Sequence, residues 1–444
     1  MNNFKKLNII TGWTVFAVAA YTYLSTIEPT ASFWDCGEYI ATSYKLEVGH
    51  PPGAPLFNMI ARFFTLFGFH DQTKAAMLVN SMSALCSAVT ILFLFWTITG
   101  LAKKLFPAKT EFTSGQTWAI MGAGIVGALA YNFSDSFWFS AVEGEVYAMS
   151  SMFTAAVFWC MVRWEAVADE PHSNRWLILI WFLIGLSIGV HLLSLLTIPS
   201  MVFIYYFKRY KPTVKNFIIT GAVSVILLGF VQGMLIPGIV KLSAVFELIF
   251  VNGAHLPFNS GTVIYFALLL GLIVFGIRFS NRRNMPLLNT AIISFACLII
   301  GYSSFLVLIV RSNADTPMNQ NRPNDAIGLL SYLNRDQYGD WPLTYGQYFT
   351  APLDAQKPYT PLPPLYAKDV KQGKYVIIDD TKQKPNYDPR FCTIFPRMYD
   401  GDDKNHVAAY KRWAGIGDTK GKGLIIDRGD GQMDTIYKPS KADC

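Results

Sequence analysis

The chain has 444 residues, 52% of them hydrophobic and only 15% charged, and its mean hydropathy is +0.30. A soluble domain carries about 25% charged residues, so this composition excludes an ordinary soluble enzyme and points to a polytopic membrane protein. The net charge of +7 does not mark a nucleic-acid binder, because the basic residues cluster in short loops between apolar runs.

The first stretch, MNNFKKLNIITGWTVFAVAAYTYL, has a basic start and an apolar run. No A-x-A-like cleavage site follows it and many further apolar runs do, so it reads as an uncleaved first span. Crossing the hydrocarbon takes about 20 residues. On that measure spans are expected near 7–25, 75–101, 117–133, 147–163, 176–190, 191–207, 216–236, 261–279 and 287–310. The run APLFNMIARFFTLFGF (54–69) is shorter and interrupted by Arg62, and reads as a helix at the interface or packed on the bundle.

The positive-inside rule supports that choice. With Lys5 and Lys6 cytoplasmic, the inside segments 1–6, 102–116, 163–175, 208–215 and 278–286 carry 14 Lys and Arg. The outside segments 26–74, 134–146 and 237–260 carry four, and making 54–69 a full span would reverse this bias. The expected organisation is therefore a bundle over 1–311 with a long first outer loop at 26–74, then an extracytoplasmic soluble region over 312–444. That region lacks apolar runs and is rich in Pro and Gly. Within it, 321–339 reads as an amphipathic helix capped by Asn324, with Ile327, Leu330 and Leu333 on one face. YVIIDD and GLIID read as short strands. The six cysteines, at 36, 86, 160, 297, 392 and 444, have neither C-x-x-C nor zinc spacing and indicate no disulfide framework.

Polar residues converge on the outer side. The first loop holds Asp35, Glu38, Glu47 and His50, with His70 at the interface; the second holds Asp135, Glu143 and Glu145. His191 falls at a short outer turn, and Asn252 and His255 in the last outer loop. Ionisable groups near membrane depth are costly and tend to mark a site. Each also has a structural reading. Asp35 and Glu38 have the D-x-x-E spacing of a helix capping box, and HPPG (50–53) is a rigid turn. Glu143 and Glu145 cannot share one helical face, so one is expected to point inward and the other to solvent. His191 reads equally as a satisfied span-end histidine, Asn252 and His255 as loop structure, and Trp34, Phe137 and Trp138 as an interfacial belt. There is no Gly-rich phosphate loop, no H-E-x-x-H and no G-x-S-x-G. Charges within the spans are nearly absent, which leaves little for a proton relay, and IPG (236–238) is the one notable Pro-Gly break near a span end.

An acidic motif just after the first span of a many-spanned chain resembles the GT-C glycosyltransferases, which use polyprenyl-phosphate-linked sugars. Four stretches, FWDCGEYIATSYKLEVGHPPGAPLF (33–57), FSAVEGEVYAMSSMF (139–153), GLSIGVHLL (185–193) and RPNDAIGLLSYLNRDQYG (322–339), resemble more closely the family called domain of unknown function 2723, described as protein O-mannosyltransferase-like. The resemblance implies a GT-C-like all-α bundle and an inverting transfer of a sugar, mannose by analogy, from a polyprenyl-phosphate donor. The acceptor would be a protein hydroxyl or an envelope glycan, and the site would face outward from a bacterial inner membrane. It implies Asp35 as base, with Glu38 as alternative or helper. His50, His191 or Arg311 would serve the leaving phosphate, and Glu143 and Glu145 would line the donor or acceptor site. DCGE is not a D-x-D, so neither a metal nor a cofactor is expected. Members of the family often continue further, so the chain reads as a fragment or a short member. The rival reading is a non-enzymatic transporter or cell-envelope scaffold, which Asp35→Asn separates from an enzyme.

Overall fold

A computed structural model describes residues 3–69, 71–106, 111–338, 342, 344–396, 403–413, 415, 422–427 and 433–438; His70 and Cys444 lie outside them. The helices in chain order begin with α1 (Asn3–Ser25), α2 (Cys36–Lys45), α3 (Pro55–Thr65), α4 (Ala75–Ala102) and α5 (Ser114–Asn132). Then come α6 (Asp135–Ala141), α7 (Val146–Val167), α8 (Asn174–Ile188), α9 (Thr197–Arg209), α10 (Val214–Phe230) and α11 (Ile236–Leu248). The set closes with α12 (Ser260–Arg282), α13 (Pro286–Tyr302), α14 (Leu306–Asn313), α15 (Ala326–Leu333) and α16 (Lys404–Trp413).

All nine expected spans fall on helices. Six among the described residues are long and apolar enough to cross a bilayer: Asn3–Ser25, Gln72–Leu105, Val146–Val167, Val214–Gly253, Ser260–Arg282 and Pro286–Asn313. The difference from nine has a simple source. Helix α8 has 15 residues, about 22 Å of rise, and α9 has 13. Helix α5 has 19 but does not reach the same apolarity. At 231–235 the backbone of the long Val214–Gly253 span widens into a π turn just ahead of Pro237. Proline has no N–H to donate, so the ladder must re-form around it. Helix α3 has 11 residues, with Phe57, Asn58, Ala61 and Thr65 buried, and packs on the bundle.

Two compact units emerge: Met1–Phe250 with Asn259–Asn334, and Val251–Phe258 with Arg335–Cys444. The first is the helical bundle, and it runs past Arg311 to Asn334. Its core is built around fully buried Trp164, Tyr23, Phe57 and Phe95. Phe137, read as a belt residue, is buried against Tyr131 (centroids 4.3 Å apart) and Tyr23, whereas Trp34 is 91% exposed. Helices α8 and α13 cross so closely that a Cβ on Gly185 would lie 2.3 Å from the Leu298 carbonyl oxygen, and one on Gly301 2.5 Å from the Leu186 nitrogen. Small residues let membrane helices approach this way and gain dispersion contact in place of a hydrophobic driving force. Along α10 and α12, Phe217, Ile218, Ile226, Leu270, Leu272 and Phe275 stay exposed, as a lipid-facing surface requires.

One buried charge has no counterpart among the residues singled out from the sequence. Glu247 is fully buried in α11, where its carboxylate accepts from the backbone N–H groups of Asn259 (2.5 Å) and Thr262 (3.0 Å). It thereby caps the exposed donors at the start of α12.

Among the described residues the second unit holds four two-stranded antiparallel sheets. They pair β1 (Tyr345–Gln347) with β6 (Cys392–Ile394), β2 (Tyr359–Pro361) with β5 (Gln383–Pro385), β3 (Leu365–Asp369) with β4 (Lys374–Asp379), and β7 (Lys422–Asp427) with β8 (Met433–Lys438). The two strands expected from YVIIDD and GLIID are β4 and β7. Asn252 pairs with both the N–H and the C=O of Tyr375 (2.8 and 2.9 Å), a structural role for this loop residue.

Candidate active site

Helix α2 starts immediately after Asp35, whose carbonyl accepts from Tyr39 N (2.9 Å). The expected capping box does not form. Asp35 has helical φ and ψ (−81° and −3°), from which its side chain makes no cap hydrogen bond. Glu38, instead of reaching back to Asp35, reaches forward to His50. Its Oε1 accepts from the His50 backbone N–H (2.5 Å) and from Nδ1 (3.0 Å). The two acids of one D-x-x-E element are thus separated in role. Glu38 is committed to the histidine, and the Asp35 side chain is 58% exposed.

With Nδ1 donating to Glu38, Nε2 is the nitrogen that gains or loses a proton, and it lies 3.8 Å from Asp35 Oδ2. Burial pushes the Glu38 carboxyl up, but the two hydrogen bonds and the charge of His50 outweigh it and hold Glu38 below the usual carboxylate range. Tyr39 packs beside the pair, its ring centroid 5.8 Å from His50 and 5.3 Å from Phe57.

Glu143 and Glu145 sit in the short link between α6 and α7, and both are 6% exposed. This corrects the expectation that one would face solvent. The link is not helical: Glu145 N donates to Glu143 O (2.9 Å) across a tight turn, so the helical spacing that would set the two side chains on different faces does not apply. Glu143 is bonded by Ser32 and by the Cys36 thiol, and burial raises its carboxyl. Burial raises Glu145 further, to about 7, with the charges of Asp35 and Glu143 adding to the effect. Its carboxylate also caps α7 through Val146 N (3.1 Å). Asn80 in α4 fastens the first loop over this link by donating to the carbonyls of Glu28 (2.6 Å) and Thr30 (3.0 Å), a role for which its place in an apolar run offered no signal.

His191 stands at the start of a short helical turn, where Nδ1 accepts from Leu193 N (3.1 Å). Its ring is 5.4 Å from that of Tyr147, two residues beyond Glu145, and burial lowers its pKa. Arg311 is placed differently. Its Nε and Nη2 donate to the carbonyls of Leu46 (2.6 Å) and Lys45 (3.0 Å), at the C-terminal end of α2. Ten helical residues, about 15 Å, separate that end from Asp35. Arg62 donates to the adjacent Tyr44 carbonyl. Two guanidinium groups therefore satisfy the last carbonyls of α2 and complement its dipole.

The structure thus brings Asp35 and Glu38 to the two ring nitrogens of His50, sets Glu145 within reach of the charges of Asp35 and His50 with Glu143 beside it, and holds Arg311 at the far end of the same helix. Among the described residues no group of three or more His, Cys, Asp or Glu has the arrangement of a metal site. A residue missed from the sequence is Tyr332 in α15. The helix is capped by Asp325, whose Oδ1 accepts from Gly328 N (2.8 Å), and not by Asn324. The buried face is accordingly Ala326, Leu329 and Tyr332, one register away from Ile327, Leu330 and Leu333.

Residues 35–214, which include all of these site residues except Arg311 and Tyr332, match the family described as protein O-mannosyl-transferase TMEM260 N-terminal domain. Residues 339–443 match a family of unknown function, DUF8416. The chain is similar to the protein O-mannosyl-transferase tmem260 of Dictyostelium discoideum, with 25% identity over 163 residues, 37% of this chain and 18% of the relative. It is also similar to the mouse protein O-mannosyl-transferase TMEM260, with 29% identity over 175 residues, 39% of this chain and 22% of the relative. The matched stretch thus spans about a fifth of each of these relatives. No solved structure matches. These likenesses and the apolar helices support a multi-pass integral membrane protein with an O-mannosyl-transferase-like N-terminal region.

Proposed function

We propose that the chain is a membrane glycosyltransferase of GT-C type. It moves a sugar from a polyprenyl-phosphate carrier to a protein or glycan hydroxyl at the extracytoplasmic face of a bacterial inner membrane. The observation that carries this reading is the Asp35 carboxylate, unspent on capping, exposed, and beside a histidine whose orientation Glu38 holds. The similarity of residues 35–214 to protein O-mannosyl-transferases supports the same assignment.

In the proposed step the acceptor oxygen attacks C1 of the sugar, and its proton passes to Asp35. The C1–O bond to the carrier breaks with its electron pair going to the phosphate, and the anomeric centre inverts. His50, protonated at Nε2, offers that N–H to the departing phosphate oxygen while Glu38 keeps the imidazolium in place. His191, Glu143 and Glu145 line the surroundings in this reading, and the step as drawn requires neither a metal nor an organic cofactor.

The test is sugar transfer from polyprenyl-phosphate donors in membranes holding equal amounts of wild type or Asp35→Asn. The expected loss in the variant is about 10²- to 10⁴-fold, the usual contribution of a positioned base. Equal transfer in both would place the base elsewhere. Flux of substrate without a covalent product, or no transfer in either, would favour the transporter or scaffold reading.

A further inference from the structure

The turn that carries His50 has little structure of its own. Between Lys45 and Gly53 one backbone hydrogen bond is internal, Gly53 N to His50 O (2.9 Å); Glu47 N and Leu46 N reach back into α2, to Thr42 O (2.8 Å) and Ser43 O (3.4 Å), and His50 N donates to Glu38. The loop's carbonyls find their partners in a segment more than 250 residues further along. The carbonyls of Lys45, Leu46, Val48, Gly49 and His50 all accept from residues between 311 and 332. Arg311 takes the first two, and Gln320 N takes Val48 O (3.1 Å). The Val48 N–H donates to Met318 O (3.0 Å), completing a parallel bridge. The fully buried Tyr332 hydroxyl completes the set, 2.7 Å from Gly49 O and 3.1 Å from His50 O.

A backbone carbonyl buried without a partner is costly, so this segment is what lets an irregular loop stay folded over the bundle. The fit at its end is close. Gly53 has φ +72°, and a Cβ there would stand 2.7 Å from the Tyr332 hydroxyl and 3.4 Å from Leu308 Cδ1. The segment is itself tied down. Asn313 Nδ2 joins the carbonyls of Ile309 (2.8 Å) and Asn324 (2.7 Å), and Asn319 Nδ2 bonds Ser312 O (2.9 Å).

We propose that Tyr332 is a positioning residue of the site: by holding the Gly49 and His50 carbonyls it sets the His50 ring against Glu38 and toward Asp35. The segment 311–333, which lies outside both matched families, is then part of the site and not the start of a separate tail. The role in turnover rests on the function proposed above; the control of His50 does not.

Tyr332→Phe removes the hydroxyl and keeps the ring, so the bundle retains its packing. Two readouts on the full chain in membranes separate the two ideas. The first needs no turnover: acylation of histidines by diethyl pyrocarbonate, followed peptide by peptide. Losing the buried hydroxyl proton that these two carbonyls share should speed modification of His50 about tenfold, with His191 and His255 unchanged. An unchanged His50 rate, or equal acceleration at all three histidines, would overturn the positioning role. The second is transfer kinetics. Tyr332→Phe should lower kcat about tenfold at a donor KM within about twofold of wild type, and should cost nothing further in a His50→Ala background. Full additivity of the two substitutions would also overturn it. Absence of transfer by the wild type would refute the proposed function alone, and the histidine reactivity would then decide the role of Tyr332.

Discussion

Glu145 makes the buried carboxylates measurable. Its side chain is almost fully enclosed, and its pKa stands near 7 against an ordinary 4.5, chiefly because burial penalises the charged form. The folded state therefore holds this proton over a range where the unfolded chain has released it. Between about pH 4.5 and pH 7 the folded state binds more protons, so stability falls as pH rises, by up to about 1.4 kcal/mol per pH unit. Above about pH 7 both states are ionised and the accumulated cost levels off at about 3 kcal/mol. Glu145→Gln keeps an oxygen to accept from Val146 N and has no charge to desolvate. The variant should match wild type near pH 4 and exceed it by up to about 3 kcal/mol near pH 8. Thermal unfolding in detergent micelles, followed by tryptophan fluorescence across this range, reads the difference directly. Glu143 is raised by burial in the same direction and is present in both proteins, so the divergence of the two curves reports Glu145 together with its coupling to Glu143 and Asp35. A constant offset between them, or a variant less stable than wild type at pH 8, would refute the argument that Glu145 is buried as a strained anion.

Two further outcomes follow from the packing. Arg311→Ala removes charged hydrogen bonds to two terminal carbonyls of α2 and should cost about 2–3 kcal/mol, lowering Tm and kcat while leaving the donor KM in place. A raised donor KM at unchanged Tm would instead put Arg311 on the carrier phosphate. Gly301→Val drives a side chain into the backbone of α8 and should cost more than about 3 kcal/mol, seen as loss of the monodisperse peak in size-exclusion chromatography. Gly271→Val in α12, where a Cβ meets nothing within 4 Å, is the control that should remain monodisperse.

Composition and local pattern were enough for every feature that depends on them alone. Long apolar runs can satisfy their backbone in lipid only as helices, so the expected spans fall on helical segments, six of them among the described residues long and apolar enough to cross a bilayer. The loss of such runs after Arg311 announced a different kind of chain, and two short β-rich stretches were legible as β4 and β7. Acids and histidines in a chain this apolar also stood out by their cost, which is how Asp35, Glu38 and His50 were found. The rest depended on how the bundle packs. The D-x-x-E spacing suits a capping box equally well, and only the fold of the 45–53 loop brings His50 to Glu38 and leaves Asp35 uncommitted. Glu143 and Glu145 became neighbours in burial because their link is a turn and not a helix. Arg311 read as a free cation at a span end until the bundle placed the last carbonyls of α2 against it. Tyr332 carried no signal at all, since its partners are the backbone carbonyls of Gly49 and His50, and backbone groups have no identity in a sequence. Hydrogen bonds between distant segments depend on where the backbone goes, and that path is set only when the whole bundle has packed.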